Sequence, residues 1–186
     1  ILKSTIEHKT DANAEQNTTC ELIFTILENI IAEKEYEYKD NSTIFILNIC
    51  SKSYSCFSNI NLNEFKIIIS NLINNSIEAI NHKNGIITIS MESTDDLITI
   101  RISDNGSGIP HDVLPNVTNL GFSFSKKNGS GFGLYYAKQQ IEKLNGKISI
   151  SSELNAGTDI KIDILKAESP RWFGDSLYIE IGSDVV

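Results

Sequence analysis

Gly129-Ser130-Gly131-Phe132-Gly133-Leu134 stands directly ahead of a stretch in which Leu134, Ala137, Ile141 and Leu144 recur at helical spacing. Alternate glycines free backbone N–H groups to surround phosphate oxygens, and the following helix adds the positive end of its dipole. Lys126 and Lys127, just upstream, can supply charge. The spacing is neither Gly-x-x-x-x-Gly-Lys-Ser/Thr nor Gly-x-Gly-x-x-Gly, so the P-loop and the dinucleotide fingerprint are both excluded. A different nucleotide-binding architecture is required.

Working upstream, Asp104-Asn105-Gly106-Ser107-Gly108 closes an alternating run, Ile98, Ile100 and Ile102. A carboxylate at a strand end can accept a hydrogen bond from an exocyclic amine such as that of adenine, and neighbouring glycines let the backbone approach a flat ring. Asp-Asn-Gly is equally an ordinary turn sequence. Between Asp104 and Gly133 no period holds while glycines accumulate, which reads as a long functional loop with Asp112 to Asn128 as a lid. Further upstream, Asn71, Asn75, Glu78 and His82 fall at i, i+4, i+7 and i+11, a polar stripe on a helix whose core face is Phe65, Ile69, Leu72, Ile73 and Ile80. Alone, that stripe also fits a solvated helix face. An Asn amide oxygen suits Mg²⁺, which keeps several waters and shares its other positions with substrate phosphates.

The remaining elements surround these three stretches. Thr18 to Glu33 has helical periodicity, and Tyr36 to Tyr38 and Ile44 to Ile49 read as short strands around a turn at 40–42. Asn61 with Glu64 forms a capping-box-like start for the helix that carries the polar stripe. Ile87, Ile89 and Met91, then Ile98, Ile100 and Ile102, form a hairpin turning at 93–96. The helix after Gly133 ends at Asn145-Gly146, where Gly146 is expected to take the left-handed cap position. Ile148 and Ile150, then Ile160, Ile162 and Ile164, make a closing hairpin around Asn155-Ala156-Gly157. The tail holds Trp172, Phe173 and a strand-like run, Leu177 to Ile181. Hairpins mixed with helices indicate an α+β class, helices on one face of a mainly antiparallel sheet.

A chain of 186 residues accommodates one domain with a sizeable core and short flanks. The net charge of −8, with no Lys/Arg cluster, argues against nucleic acid as a partner. Three cysteines, Cys20, Cys50 and Cys56, are an odd number without metal-site spacing and fit reduced thiols in a cytoplasmic setting. No apolar run approaches the ~20 residues of a membrane span. The start at Ile1 and the end at Val185-Val186 suggest a piece of a longer protein, whose other parts are the only expected route to a membrane.

Asn71-Leu72-Ile73-Asn74-Asn75-Ser76-Ile77-Glu78-Ala79, Asp104-Asn105-Gly106-Ser107-Gly108-Ile109-Pro110 and Ser125-Lys126-Lys127-Asn128-Gly129-Ser130-Gly131-Phe132-Gly133-Leu134 closely resemble, in this order, the N box and two glycine boxes of sensor histidine kinases. The resemblance covers residues 18–166, leaving 1–17 as the end of an upstream dimerising region and 167–186 as a linker or the start of a following domain. It implies the Bergerat ATP-binding fold, a two-layer α+β sandwich of a mixed, mainly antiparallel sheet with about three helices on one face. By the same resemblance, Asp104 holds the adenine amino group while Gly106, Gly108 and Ile109 line the ring. Asn75 coordinates Mg²⁺, and Asn71 lies near the phosphates. Lys126, Lys127, Gly129, Ser130, Gly131, Phe132, Gly133 and Leu134 close over the phosphates of ATP, and Thr158 supports Asp104.

Glu78 departs from the Lys or Arg common at its position. In hydrolytic relatives a Glu stands where this chain has Asn71, and an amide cannot take a proton from water. Transfer is therefore favoured over hydrolysis, and over the alternatives of a serine-kinase anti-sigma factor, an ATPase or a non-catalytic scaffold. The partners implied are the protein's own dimerising, phosphoacceptor-bearing helices in a homodimer, and a response regulator. A family phosphoacceptor histidine is followed by Glu or Asp. His8 precedes Lys9 and Thr10, and neither His82 nor His111 matches, so the acceptor is expected outside this chain.

Overall fold

The computed structural model describes residues 17–39, 42–81, 84–121 and 132–176. Its centre is a five-stranded mixed sheet with the order β2-β4-β5-β7-β6. β2 (Ile44–Ile49) runs parallel to β4 (Ile86–Ser93); β5 (Leu97–Asp104), β7 (Gly157–Leu165) and β6 (Lys147–Glu153) pair antiparallel. Beside it, β1 (Thr19–Leu22) and β3 (Phe57–Ile60) form a two-stranded antiparallel ribbon. Three helices, α1 (Ile23–Glu37), α2 (Leu62–Ala79) and α3 (Gly133–Lys143), pack on one face of the sheet. The α+β two-layer arrangement expected from the pattern is the one observed.

Period-two alternation explains why this face is the core. The register aligns Ile49, Met91, Ile100, Ile162 and Ile148 in one row and Leu47, Ile89, Ile102, Ile160 and Ile150 in the next. Against these rows α2 buries Phe65, Ile68, Ile69, Leu72, Ile73 and Ile77, and α1 buries Ile23, Ile26, Leu27, Ile30 and Ile31. Each fully buried isoleucine contributes about 1.5–3 kcal/mol over exposure, so the two rows and two stripes dominate the stability. The opposite face is polar and held by cross-strand pairs: Thr99 donates to Asp163 and Ser103 to Asp159, each at 2.6 Å.

Three local expectations are corrected. Helix α1 starts at Ile23, because Thr19–Leu22 pairs with β3, a strand that periodicity did not reveal. Tyr36 and Glu37 extend α1 rather than a strand; buried Lys34 bonds Glu37 at 2.7 Å and lies over the Tyr38 ring, joining the last turn along one face. At the end of α3 it is Asn145, with φ 55°, that takes the left-handed conformation. Gly146 is required for a different reason, since a Cβ there would stand 2.5 Å from the Asp163 carbonyl oxygen. The start of α2 is as expected, with Asn61 Oδ1 accepting from the Glu64 N–H at 3.1 Å.

The tail continues on the same body. Ala167 bridges Phe57, and α4 (Arg171–Ser176) sets Phe173 and Trp172 edge-on against the Phe57 ring at 4.8 and 6.4 Å. The run Leu177 to Ile181 lies outside the described residues. Among the described residues no helix is long and apolar enough to cross a membrane, and the three cysteines are unpaired.

Candidate nucleotide site at the end of the sheet

The third row across the sheet breaks the apolar pattern. Phe45 and Ile87 are followed by Asp104, Thr158 and Ser152, directly opposite one another on β5, β7 and β6. Continuing the period of two therefore places a carboxylate and two hydroxyls on the helix-facing side, where the helical layer ends. Asp104 Oδ1 accepts from the Gly106 N–H at 2.9 Å and from the Thr158 N–H at 3.3 Å. Burial raises the Asp104 pKa above the ordinary carboxylate value, against the opposing pull of Gly106, the Ser76 hydroxyl and Thr158. Ser76 comes from α2 and is 2% exposed, so three elements converge on one carboxylate.

The loop after Asp104 is stitched to its surroundings by main chain. Ser107 N–H donates to the Ala79 carbonyl at the end of α2, and Ser107 O accepts from Asn155 N–H in the β6–β7 turn. The Asn105 side chain accepts from Ile86 N–H and donates to Asn84 O, both at 2.8 Å, tying the loop to the start of β4. Gly108 has φ +65°, and a Cβ there would overlap the Glu153 carbonyl; Gly157, with φ +106°, would overlap the carbonyl of Asp104 itself. Both contacts demand glycine. The Ile109 N–H donates to Ser152 Oγ at 2.8 Å, which pins the loop to β6.

On α2, Asn71 and Asn75 are half-buried and Glu78 is exposed. A Cβ at Gly133 would stand 3.9 Å from Asn75 Nδ2, so the start of α3 lies beside the Asn75 amide. Phe132 is exposed and Leu134 half-buried on the core. Asp104, Asn75, Gly106, Gly108, Ile109, Thr158 and Gly133 thus share the end of the sheet where α2 finishes and α3 begins. Lys126, Lys127, Gly129, Ser130, Gly131 and His82 lie outside the described residues, as does the lid sequence beyond Gly121. His111 is exposed in the turn after Pro110.

Ser76 and Ser152 were not read from the sequence as site residues. Each had a signal: Ser76 interrupts the apolar stripe of α2 at a core position, and Ser152 continues the alternation of Ile148 and Ile150. Val117, 5% exposed, anchors the start of the lid, where Leu114 and Leu120 were the expected contacts and Leu120 is exposed.

The sequence profile described as histidine kinase-, DNA gyrase B-, and HSP90-like ATPase matches residues 61–168, more than half of the chain. A probable C4-dicarboxylate sensor kinase of Bacillus subtilis (strain 168) is 39% identical over 99 residues, covering 52% of this chain and 18% of that protein. Sporulation kinase C of the same strain is 29% identical over 163 residues, covering 87% of this chain and 34% of that one. The chain spans less than half the length of these curated relatives. Among solved structures, the nucleotide-free catalytic domain of histidine kinase ThkA aligns with TM-score 0.70 at 21% identity, over 80% of this chain and 95% of that one. The mycobacterial sensor histidine kinase MprB aligns with TM-score 0.69 at 17% identity, over 80% and 97%. These structural likenesses establish the fold. Together with the profile match to residues 61–168, they place the chain in the family of histidine kinase-, DNA gyrase B- and HSP90-like ATPases.

Proposed function

We propose that this chain is the ATP-binding catalytic domain of a sensor histidine kinase, presenting Mg-ATP to a phosphoacceptor histidine elsewhere in a longer, homodimeric protein whose product a response regulator receives. The observation that carries the reading is the convergence of Asp104, the Gly106–Gly108 loop, Asn75 and the start of α3 at one end of the sheet. The residues fit an adenine nucleotide: a half-buried carboxylate with a rigid main-chain rim suits an amino-substituted ring, and an amide beside a helix N-terminus suits a metal-phosphate group.

When bound, Mg-ATP supplies the transferable γ-phosphoryl group. Asp104 accepts from the base amino group, and Thr158 N–H, Gly106 N–H and Ser76 hold the carboxylate still while it does so. Asn75 offers its amide oxygen to the metal. The N-terminal N–H groups of α3, with Lys126, Lys127 and Gly129 to Gly131 ahead of it, offset phosphate charge. Asn71 has no lone pair basic enough to take a proton from water, which favours transfer to an external acceptor over hydrolysis.

The relatives point the same way: both Bacillus subtilis proteins carry kinase names, and another solved structure holds ThkA in complex with a response regulator. We place the domain at residues 18–166 with 167–176 as a packed extension, and its setting as cytoplasmic. The test is equilibrium binding of ATP with and without Mg²⁺ to the wild-type chain and to Asn75→Asp. Micromolar to millimolar binding that strengthens with Mg²⁺, and loses that Mg²⁺ dependence in the variant, supports the reading; no binding of ATP under either condition contradicts it.

A further inference from the structure

The polar row at the end of the sheet contains a hydroxyl whose proton can be located by counting. Ser152 Oγ lies 2.7 Å from the Gly157 carbonyl oxygen, 2.8 Å from the Ile109 nitrogen and 3.0 Å from Thr158 Oγ1. A carbonyl has no proton to give, and two oxygens that close with none between them repel, so the single Ser152 proton lies on the Gly157 contact. Ile109 N–H takes one Ser152 lone pair. The other faces Thr158, and Thr158 must therefore be the donor in that pair. Its hydroxyl has no proton left for the site and presents lone pairs only. Asp104, its register partner across the ladder, is likewise an acceptor when ionised.

We propose that Ser152 is a specificity-determining residue: by holding the Thr158 hydroxyl as an acceptor, it gives the base-binding end an all-acceptor edge that takes 6-amino purines and rejects 6-oxo purines. Ser152 touches no base itself and acts through Thr158. Hypoxanthine can offer its N1–H to Asp104, but its O6 then meets Thr158 and finds no donor. An adenine amino group brings two protons to the same edge and leaves neither acceptor opposed. Removing the Ser152 hydroxyl frees Thr158 to turn its proton toward O6. This inference rests on the nucleotide reading above and names how that site chooses its base.

The experiment is equilibrium titration of the chain with ATP and with ITP, which differ at the 6-position and N1, reporting the ratio of the two dissociation constants. Wild type is expected to prefer ATP, and Ser152→Ala to narrow that preference by about tenfold, the size of one inverted buried hydrogen bond. In a Thr158→Val background, Ser152→Ala is expected to leave the ratio unchanged, because the group it acts through is gone. Equal weakening of both nucleotides by Ser152→Ala, at constant ratio, would show a merely structural role and overturn the proposal. Should Ser152→Ala not fold, Thr158→Ser is expected to retain the wild-type ratio and Thr158→Val to narrow it; an unchanged ratio in Thr158→Val overturns the proposal too. Wild type that binds ATP and ITP alike defeats the specificity inference alone, whereas wild type that binds neither removes the nucleotide reading and this inference with it.

Discussion

Asp104 illustrates a conflict between binding and stability in one side chain. Burial raises its pKa in the folded chain above the ordinary value of ~3.9. Its contribution to stability is thus greatest below the unfolded value and falls as pH rises through the folded one. At neutral pH the ionised carboxylate costs stability, and an amide in its place still accepts from Gly106 and Thr158. Asp104→Asn is therefore expected to melt at or above the wild-type temperature at pH 7, while ATP affinity falls about tenfold or more because a donor replaces an acceptor. Thermal unfolding and ATP titration check the two halves separately, and a variant that loses stability while keeping affinity would reverse the account. The same shift predicts that wild-type ATP affinity starts to fall, on acidification, at a pH above the ordinary carboxylate range. Asp163, on the outer face, behaves oppositely. Burial pushes it up, but hydrogen bonds from Lys161 and Thr99 and the charges of Lys161 and Lys147 outweigh this and hold it below the usual value.

Loops and strands separate in how tightly their glycines are constrained. Gly108 and Gly121 both have positive φ, but a side chain at Gly108 meets the Glu153 carbonyl whereas one at Gly121 meets nothing within 4 Å. Gly121→Ala is expected to cost about 1 kcal/mol from backbone strain alone, and Gly108→Ala at least about 2 kcal/mol because the loop must also leave β6. Urea denaturation of the pair tests this, and equal losses would show that the loop is not locked to the Glu153 strand. The elements most legible in the sequence were those with one buried face: Ile44–Ile49, the two isoleucine hairpins, and α2 with its Asn61 cap. Those lost were set by partners far along the chain. Thr19–Leu22 follows helical spacing and becomes a strand only because Phe57–Ile60 pairs with it, and Tyr36–Glu37 has strand composition but is held helical by Lys34. The site was legible where chemistry shows in residue type, at Asp104, Asn75 and the glycines. It was hidden at Ser76 and Ser152, whose importance lies in which atom each one bonds.

At the scale of the whole molecule, both ends of the described chain meet on β3. Thr19–Leu22 pairs with it, Ala167 bridges Phe57, and the Cys20 thiol contacts the Glu168 carbonyl at 3.6 Å. Phe57 is 1% exposed and carries Phe173 and Trp172 on its ring, so Phe57→Ala is expected to cost about 3–5 kcal/mol. Ending the chain after Lys166 should lower the melting temperature as well, whereas an unchanged melt would show the tail to be a passive appendage. The account's central claim concerns direction of transfer: the site offers a γ-phosphoryl group to a histidine that this chain does not itself supply. The direct measurement is incubation with γ-labelled ATP and Mg²⁺, of the chain alone and of the chain joined to its upstream dimerising helices, followed by acid and base treatment of the product. The account predicts little label on the chain alone and acid-labile, base-stable label on an upstream histidine in the joined protein, abolished by Asn75→Asp. Stoichiometric acid-labile label on the chain alone, lost on replacing His8, would contradict it.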